Sequence, residues 1–195
     1  MSDMSCEDSR DGDGIEPATR TGRLEVDERY TLYITNFAQM TMPEVGDRAP
    51  DFALYDYDKK VRRLSDFLVK GRKTILAFFP GAFTGTCTKE MCTFRDMYGE
   101  LEKLNGMVVG ISVDAPFAQK AFAEKYNLSF PLLCDFQREV IKNYGVVWRN
   151  LGGVEGYETA NRAIFLVNES GKVLFKWVAD DPGALPDFDA VKKAL

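Results

Sequence analysis

The fold of this chain is decided by the stretch Phe78-Phe79-Pro80-Gly81-Ala82-Phe83-Thr84-Gly85-Thr86-Cys87-Thr88-Lys89-Glu90-Met91-Cys92. The apolar run that leads into it, residues 74–79, predicts a buried strand that ends at Pro80 and Gly81. A helical pattern follows, from about residue 84 to 104. Its apolar side chains have the spacing of one helix face: Met91, Phe94, Tyr98 and Leu101. Cys87 lies four residues before Met91, on the same face and in the first turn of the helix.

A cysteine in the first turn of a helix can be unusually reactive. Free backbone N–H groups point towards it, and the positive end of the helix dipole favours its anion, which is the nucleophilic form. Thr84, Thr86 and Thr88 add hydroxyl donors near Cys87. A free cysteine is more commonly a small apolar core residue, so helix position alone leaves both interpretations open.

Pro80, Thr84 and Cys87 form the pattern P-x-x-x-T-x-x-C at the predicted strand-to-helix junction. With its neighbours, this pattern closely resembles the active-site signature of the peroxiredoxins, which are thiol peroxidases. The text Cys-Thr-Lys-Glu-x-Cys that starts at Cys87 is similar to the bacterioferritin-comigratory (PrxQ) subgroup, whereas residues 82–85 resemble the one-cysteine AhpE subgroup. The resemblance covers residues 42–195 and implies a thioredoxin-like fold and an enzyme of antioxidant defence that reduces hydrogen peroxide and organic hydroperoxides.

The resemblance also assigns roles to individual residues. Cys87 is expected to attack the terminal peroxide oxygen as a thiolate and to become a sulfenic acid. Thr84 would hydrogen-bond the peroxide, Pro80 would pack over the sulfur and limit water access, and backbone N–H groups would hold the sulfur and the attacked oxygen. The family's arginine opens a later strand, and Arg162 fits that position at the start of the run 162–167. We therefore expect the Arg162 guanidinium near the sulfur.

Three further charged residues are weaker candidates for the site. Glu90 lies three residues after Cys87, where the helix dipole favours an acid in any case, and the resemblance suggests that it also orients neighbouring hydrogen bonds. Arg95 is interpreted as a structural or interface residue, with a smaller chance of a role in the site. Arg149 has no support from a motif.

Cys92 matches the resolving position of the PrxQ pattern C-x-x-x-x-C. Five residues along a helix correspond to a rise of roughly 7.5 Å and a turn of about 140°, which is beyond the ~7 Å that a disulfide can span between Cα atoms. A disulfide between Cys87 and Cys92 therefore requires the first turns of the helix to unwind. Without that unwinding, an external thiol, such as a thioredoxin-like protein, must reduce Cys87. Cys134 is interpreted as a core residue, and a role for Cys6 in the tail stays open.

The length and composition of the chain suit one domain with an extension. It has 195 residues, 45% of them hydrophobic and 28% charged. Residues 1–30 hold nine acids and four bases, whereas residues 31–195 hold 21 of each, which argues against nucleic acid as a partner. We expect an acidic, largely disordered extension over residues 1–41, with a short strand considered at 24–37, and a peroxiredoxin domain over 42–195.

The sequence excludes several classes of site and predicts a location. No apolar run approaches the ~20 residues of a membrane span, and the acidic N-terminus lacks the features of a secretory signal, so a cytoplasmic protein without membrane contact is expected. The chain has four cysteines and no histidine, which excludes Ser-His-Asp and Cys-His hydrolase chemistry and histidine-ligated metals. A zinc site would need all four cysteines, including the one in the tail, so we expect no metal or cofactor.

The remaining pattern completes an α/β fold. An apolar run at 107–113 makes a parallel β-α-β unit with the strand at 74–79, and Asp114 is expected to cap the following helix, with Pro116 in its first turn. The other predicted elements are a hairpin (52–57 and 61–64), a turn capped by Ser65, a strand (131–134), a helix (138–144), a Gly-rich loop (149–160), a hairpin (162–167 and 173–178) and a final helix from Asp187. This order predicts a thioredoxin-like fold, a mixed central sheet with helices on both faces.

Three alternative functions stay open at this point. A thiol-disulfide oxidoreductase on the same fold uses C-x-x-C, which is two residues shorter than the spacing here. A glutathione-peroxidase-like enzyme pairs its cysteine with Gln and Trp, and neither Trp148 nor Trp177 lies in such a motif. A redox sensor or holdase would use oxidation only as a switch. The subgroups that the chain resembles include monomers and dimers, so a homodimer is one possible assembly.

Overall fold

The computed structural model describes residues 41–195, so the expected extension, apart from residue 41, the strand considered at 24–37 and Cys6 lie outside the described residues. The described part contains nine strands: β1 (Ala53–Asp56), β2 (Val61–Arg63), β3 (Lys73–Phe78), β4 (Gly106–Ser112), β5 (Leu132–Cys134), β6 (Val147–Arg149), β7 (Glu158–Ala160), β8 (Ala163–Val167) and β9 (Val173–Val178). It also contains four α-helices: α1 (Gly85–Lys103), α2 (Pro116–Tyr126), α3 (Glu139–Asn143) and α4 (Phe188–Ala194).

Seven of these strands form one mixed sheet in the order β2-β1-β5-β4-β3-β8-β9. Strands β3, β4 and β5 are parallel, and the outer pairs, including β3 with β8, are antiparallel. Strand β3 lies inside the sheet, between β4 and β8, with Ile75 opposite Val108 on one side and Leu166 on the other. The predicted mixed sheet is therefore confirmed, and its interior strand β3 leads directly into the stretch that carries Cys87.

Side chains alternate along β3 between two apolar cores, one on each face of the sheet. Ile75, Ala77 and Phe79 belong to one core, and Leu76 and Phe78 belong to the other. The first core also contains apolar residues of three helices: Met91, Phe94 and Leu101 of α1, Phe122 and Ala123 of α2, and Val191 of α4. The second core contains Val140 and Ile141 of α3. Helices therefore cover both faces, and the predicted thioredoxin-like architecture is confirmed.

Two helix starts differ from the sequence-based expectation. Asp114 does not cap α2: Ala115 occupies the cap position without a side-chain hydrogen bond, since the Asp114 carboxylate is turned towards the loop after β3. Ser65 lies inside a short 3₁₀ turn that covers Leu64–Phe67, and Arg63 precedes that turn. A Ser or Asp near a helix start favours capping only when no stronger partner is within reach.

The prediction of a Gly-rich loop at 149–160 is partly wrong. The end of this segment forms strand β7, which pairs with strand β6 as a hairpin. Strands β6 and β7 pair antiparallel, with Trp148 opposite Thr159. The positive φ angles of Asn150, Gly152 and Gly156 belong to the connection between these strands. The glycines thus indicate the turn between the strands, whereas the short strands on either side leave little signal in the sequence.

Within residues 41–195, no helix combines the length and the apolar character that crossing a membrane would require.

Candidate active site

Cys87 is positioned by the turn that joins β3 to α1. Thr84 holds the cap position of the helix, and its hydroxyl donates to the Gly81 carbonyl (3.0 Å) instead of accepting from the helix. Among the described residues, no side chain therefore caps the first N–H groups of α1. Cys87 is only 1% exposed, but it lines a cavity at this end of the helix. The local fold thus combines a shielded sulfur with free backbone donors.

The cavity has a volume of about 380 Å³. Its lining comes from the turn and first residues of α1, the β6–β7 connection, the residue before β8 and a loop after β9: Pro80, Thr84, Gly85, Thr86, Cys87, Leu151, Gly152, Arg162, Asp181, Pro182 and Gly183. It is larger than hydrogen peroxide needs, and Leu151 and Pro182 contribute apolar surface to its lining. Four of the six residues predicted for the site line this cavity.

Arg162 lies directly before β8 and is almost fully buried beside the sulfur. Its Nη2 donates to Sγ of Cys87 at 3.4 Å, and its Nη1 donates to a carboxylate oxygen of Glu90. Nε and Nη2 also donate to the Pro182 carbonyl, at 3.1 and 2.8 Å. The planar guanidinium is therefore held from three directions, which fixes its orientation towards the sulfur.

Glu90 is fully buried and shares Arg162 with Cys87. Burial raises the pKa of Glu90 to about 7, although the Arg162 charge and hydrogen bond oppose the rise. Burial disfavours the charge of Arg162 in turn, but the electrostatic interactions and hydrogen bonds with Glu90 and Cys87 outweigh it and raise the pKa of the guanidinium. One buried cation thus faces two ionisable groups. Among the described residues, Oε1 of Glu90 has no hydrogen-bond partner.

Two side chains from elsewhere in the fold hold the turn before α1. The Asp114 carboxylate accepts from the Ala82 N–H at 2.8 Å, and the Thr159 hydroxyl donates to the Pro80 carbonyl. Sequence reasoning missed both contacts, because it assigned Asp114 to a helix cap and Thr159 to a loop. The carboxyl ends of parallel strands meet at one edge of a sheet, so the parallel pairing of β3 and β4 was a signal for the first contact.

The structure does not bring the other candidates into the cavity. Cys92 is half-buried in the same unbroken helix as Cys87, and both are free thiols. Arg95 donates to the Tyr126 carbonyl (2.7 Å), which connects α1 to α2. Arg149 pairs with Glu158 at 3.1 Å. Thus Cys92 could meet Cys87 only after a change in the helix.

Cys134 ends β5 and is buried. Burial, with smaller contributions from Asp114 and Asp56, raises the pKa of Cys134 to about 12. Its thiol is therefore uncharged at neutral pH and suits the apolar core, as expected from the sequence.

Comparison with known proteins agrees with this geometry. Residues 45–176 match the AhpC/TSA family. The chain is 42% identical over 135 residues to a putative peroxiredoxin bcp of Coxiella burnetii, which spans 69% of this chain and 87% of that protein. It is 37% identical over 130 residues to peroxiredoxin Bcp of Escherichia coli, covering 67% and 82% of the two chains. It is also 42% identical over 136 residues to a chloroplastic peroxiredoxin Q of Populus jackii, covering 70% and 62%.

A solved structure gives the same result at the level of the fold. The crystal structure of peroxidoxin BcpB from Mycobacterium tuberculosis superposes with a TM-score of 0.68 at 33% identity, and the match covers 79% of this chain and 96% of that one. The residues that match the family, 45–176, contain the turn, the helix and the strand that meet at Cys87. The chain therefore belongs to the AhpC/TSA family, as a peroxiredoxin of the Bcp and PrxQ type, and it is a thiol peroxidase.

Proposed function

We propose that Cys87 is the peroxidatic nucleophile of this enzyme. The Cys87 thiolate attacks the terminal oxygen of R–O–OH, an S–O bond forms, and the O–O bond breaks. The sulfur becomes a sulfenic acid, and the leaving oxygen takes a proton and departs as water or an alcohol. The observation that carries this proposal is the Arg162 guanidinium, 3.4 Å from the sulfur in a cavity that Cys87 lines.

The surrounding groups have complementary roles in this proposal. The donor of the Thr84 hydroxyl is engaged with the Gly81 carbonyl, so its oxygen is available to accept the O–H of the peroxide. The uncapped N–H groups of α1 and the Arg162 guanidinium face the charge that develops on the oxygens. Pro80 covers one side of the sulfur and limits water access. These groups would align the O–O bond with the sulfur before the reaction.

Glu90 acts through Arg162 in this scheme. Its carboxylate binds Nη1, while Nη2 contacts the sulfur, so the two anions occupy different donors of one planar fork. Glu90 does not line the cavity. We therefore assign it the orientation of the guanidinium and not contact with the peroxide.

A peroxiredoxin takes a peroxide as substrate and returns to its reduced form through a thiol. For this chain we propose that Cys92 resolves the sulfenic acid, or that an external thiol does so where α1 stays intact. Helix α1 contains both cysteines, so a disulfide between them requires its first turns to unwind. Mass spectrometry of Cys92→Ser and wild type after stoichiometric peroxide distinguishes the intramolecular disulfide from a persistent sulfenic acid.

The experiment that tests the function measures peroxide consumption with thioredoxin, thioredoxin reductase and NADPH. The wild type should turn over repeatedly, Cys87→Ser should be inactive, and Cys134→Ser should match the wild type, since Cys134 lies away from the cavity. Turnover by Cys87→Ser would contradict the proposal. Stoichiometric oxidation without turnover would instead favour a redox sensor, and efficient insulin reduction would favour a thiol-disulfide oxidoreductase.

The finer expectations about partners and location stay predictions. We propose a thioredoxin-like reductant, a cytoplasmic location and a homodimer as one assembly, with no nucleic-acid or membrane partner. Sedimentation of the reduced and oxidised protein tests the homodimer, and fractionation of the source cells tests the location.

A further inference from the structure

The Asp114 carboxylate binds the turn that precedes Cys87. Its Oδ2 accepts two hydrogen bonds, from the Ala82 N–H at 2.8 Å and from the Ser112 hydroxyl at 2.7 Å. Gly81 of the turn also lies near this oxygen, since a Cβ added there would be in ordinary van der Waals contact with Oδ2, at 3.9 Å. One carboxylate oxygen thus joins the end of β4 to the turn that contains Pro80 and Thr84.

A buried side chain fixes the direction of these bonds. The amide of Gln119 on α2 donates to Oγ of Ser112 at 2.6 Å, and both residues are fully buried. Because the hydroxyl of Ser112 accepts from Gln119, its one proton is directed at Asp114. The chain Gln119–Ser112–Asp114 therefore ends in an oxygen that is oriented to receive the Ala82 N–H.

The sheet topology places this series of hydrogen bonds beside the turn that precedes Cys87. Strands β3 and β4 are parallel, with Phe78 opposite Ile111, and the Phe79 N–H continues the ladder to the Ile111 carbonyl at 3.0 Å. Pro80 and Asp114 each follow the end of their strand by two residues. The turn and the carboxylate are therefore neighbours at one edge of the sheet.

We propose that Asp114 is a positioning residue for peroxide reduction, which holds the Ala82 amide and thereby sets Pro80 and Thr84 relative to Cys87. The proposal rests on the function proposed above. Asp114 does not line the cavity and acts only through the main chain of the turn. A hydrogen bond from a backbone N–H to a carboxylate is stronger than one between two neutral groups. Its loss should therefore loosen the turn.

The chain offers a matched control in Asp135. This carboxylate is fully buried, whereas Asp114 is partly buried. It follows the neighbouring strand β5 and accepts two backbone N–H groups, from Glu139 (3.1 Å) and Ile141 (2.8 Å). Its bonds hold N–H groups in the first turn of α3 and do not reach the turn before α1. Asp135→Ala therefore removes a comparable structural interaction without touching the catalytic turn.

The test compares the rate constant for oxidation of Cys87 by hydrogen peroxide, from rapid mixing, in Asp114→Ala, Asp114→Asn and Asp135→Ala. Asp114→Ala should be slower by about 10- to 100-fold, because a displacement of reacting groups by about 1 Å can have that effect. Asp114→Asn should stay within about threefold of the wild type, since an amide oxygen can accept both hydrogen bonds. Loss in Asp114→Asn equal to that in Asp114→Ala, or equal loss in Asp135→Ala, would overturn the proposal.

A second measurement does not depend on peroxidase activity. Hydrogen exchange of the peptide that covers residues 80–84 should accelerate in Asp114→Ala and stay unchanged in Asp135→Ala. If Asp114→Ala does not fold, Ser112→Ala removes one donor to the carboxylate and should show a smaller change in both measurements. Unchanged exchange would overturn the proposal, whereas an inactive wild type with accelerated exchange in the variant would count against the proposed function alone.

Discussion

Cys87 and Cys134 are buried to the same extent but lie among opposite charges. Each is 1% exposed. Cys87 lies in the first turn of a helix, with a guanidinium nitrogen 3.4 Å from its sulfur. Cys134 ends a strand, and burial together with two carboxylates raises its pKa to about 12. The sign of the neighbouring charge and an opening to a cavity, and not exposure, therefore separate a candidate nucleophile from an inert core thiol.

The largest expected effect is a difference in alkylation. At neutral pH, iodoacetamide should modify Cys87 at least about 1000-fold faster than Cys134, because of the two only Cys87 has a guanidinium donor at its sulfur and lines the cavity. Time-resolved alkylation followed by peptide mass spectrometry measures both rates in one sample. Denatured protein is the control, in which the two thiols should react at similar rates. Equal rates in the folded protein would remove the basis of the comparison.

Replacement of the Arg162 guanidinium should lower the reactivity of Cys87 towards peroxide without changing the burial of its sulfur. Arg162→Lys keeps a positive charge but cannot bind Cys87, Glu90 and the Pro182 carbonyl together, so the rate of peroxide reduction should fall by about 100-fold. Arg149→Lys, at an exposed pair with Glu158, is the matched control and should react at the wild-type rate. Rapid-mixing kinetics measure both variants. A similar rate in the two variants would contradict the role of Arg162.

The buried carboxylate should give the stability of the fold a pH dependence of known sign. The pKa of Glu90 is raised from 4.5 to about 7, so between these values the folded state keeps a proton that the unfolded chain releases. This contribution is fully present below about pH 4.5 and is lost as the pH rises through 7, by roughly 3 kcal/mol in total, of which roughly 2 kcal/mol, or about thirtyfold in the unfolding equilibrium, falls between about pH 5 and pH 7.5.

Urea denaturation from about pH 5 to pH 7.5 measures this effect against Glu90→Gln, which cannot titrate. A Cys87→Ser background in both proteins removes the titration of the sulfur from the comparison. The wild-type carboxylate should give a steeper fall in the free energy of unfolding with rising pH. Equal slopes in the two proteins would show that Glu90 is ionised throughout this range.

The smallest expected effect concerns the third described cysteine. Cys92 is half-buried and outside the cavity, so Cys92→Ser should oxidise at the wild-type rate. Turnover with dithiothreitol should change by at most about threefold, since a small dithiol can reduce the sulfenic acid directly. Turnover with thioredoxin should fall further if the intramolecular disulfide is its substrate. A slower oxidation step in this variant would contradict the separation of the two cysteines.

Much of the fold could be predicted from the sequence because hydrophobic periodicity records which side chains face a core. The strand predicted at 74–79 and the helix predicted at 84–104 correspond to β3 and α1 within one residue. Arg162 was located by a motif, although it lies 75 residues from Cys87. Its place beside the sulfur depends on the antiparallel pairing of β3 with β8, which single-sequence patterns do not specify.

Other parts of the site left only an ambiguous signal in the sequence. Asp114 follows a strand and precedes a helix, so its residue type fits a helix cap as well as an anchor for the turn. Thr159 lies in a three-residue strand beside a Gly-rich turn, which resembles a loop in composition. The Glu90 position is favoured by the helix dipole even without a partner. In each case the deciding contact comes from a distant segment, and local propensity cannot report it.

The Pro182 carbonyl binds Arg162 through main-chain oxygen alone, on a loop twenty residues after the arginine. The Pro182 side chain therefore contributes little to the binding of Arg162, whereas the path of the loop decides where the carbonyl oxygen lies. In a saturation mutagenesis screen, position 182 should tolerate many amino acids, while the deletion of a single residue within 180–184 should inactivate the enzyme. Position 182 would thus tolerate a change of side chain, whereas the loop around it would not tolerate a change of length.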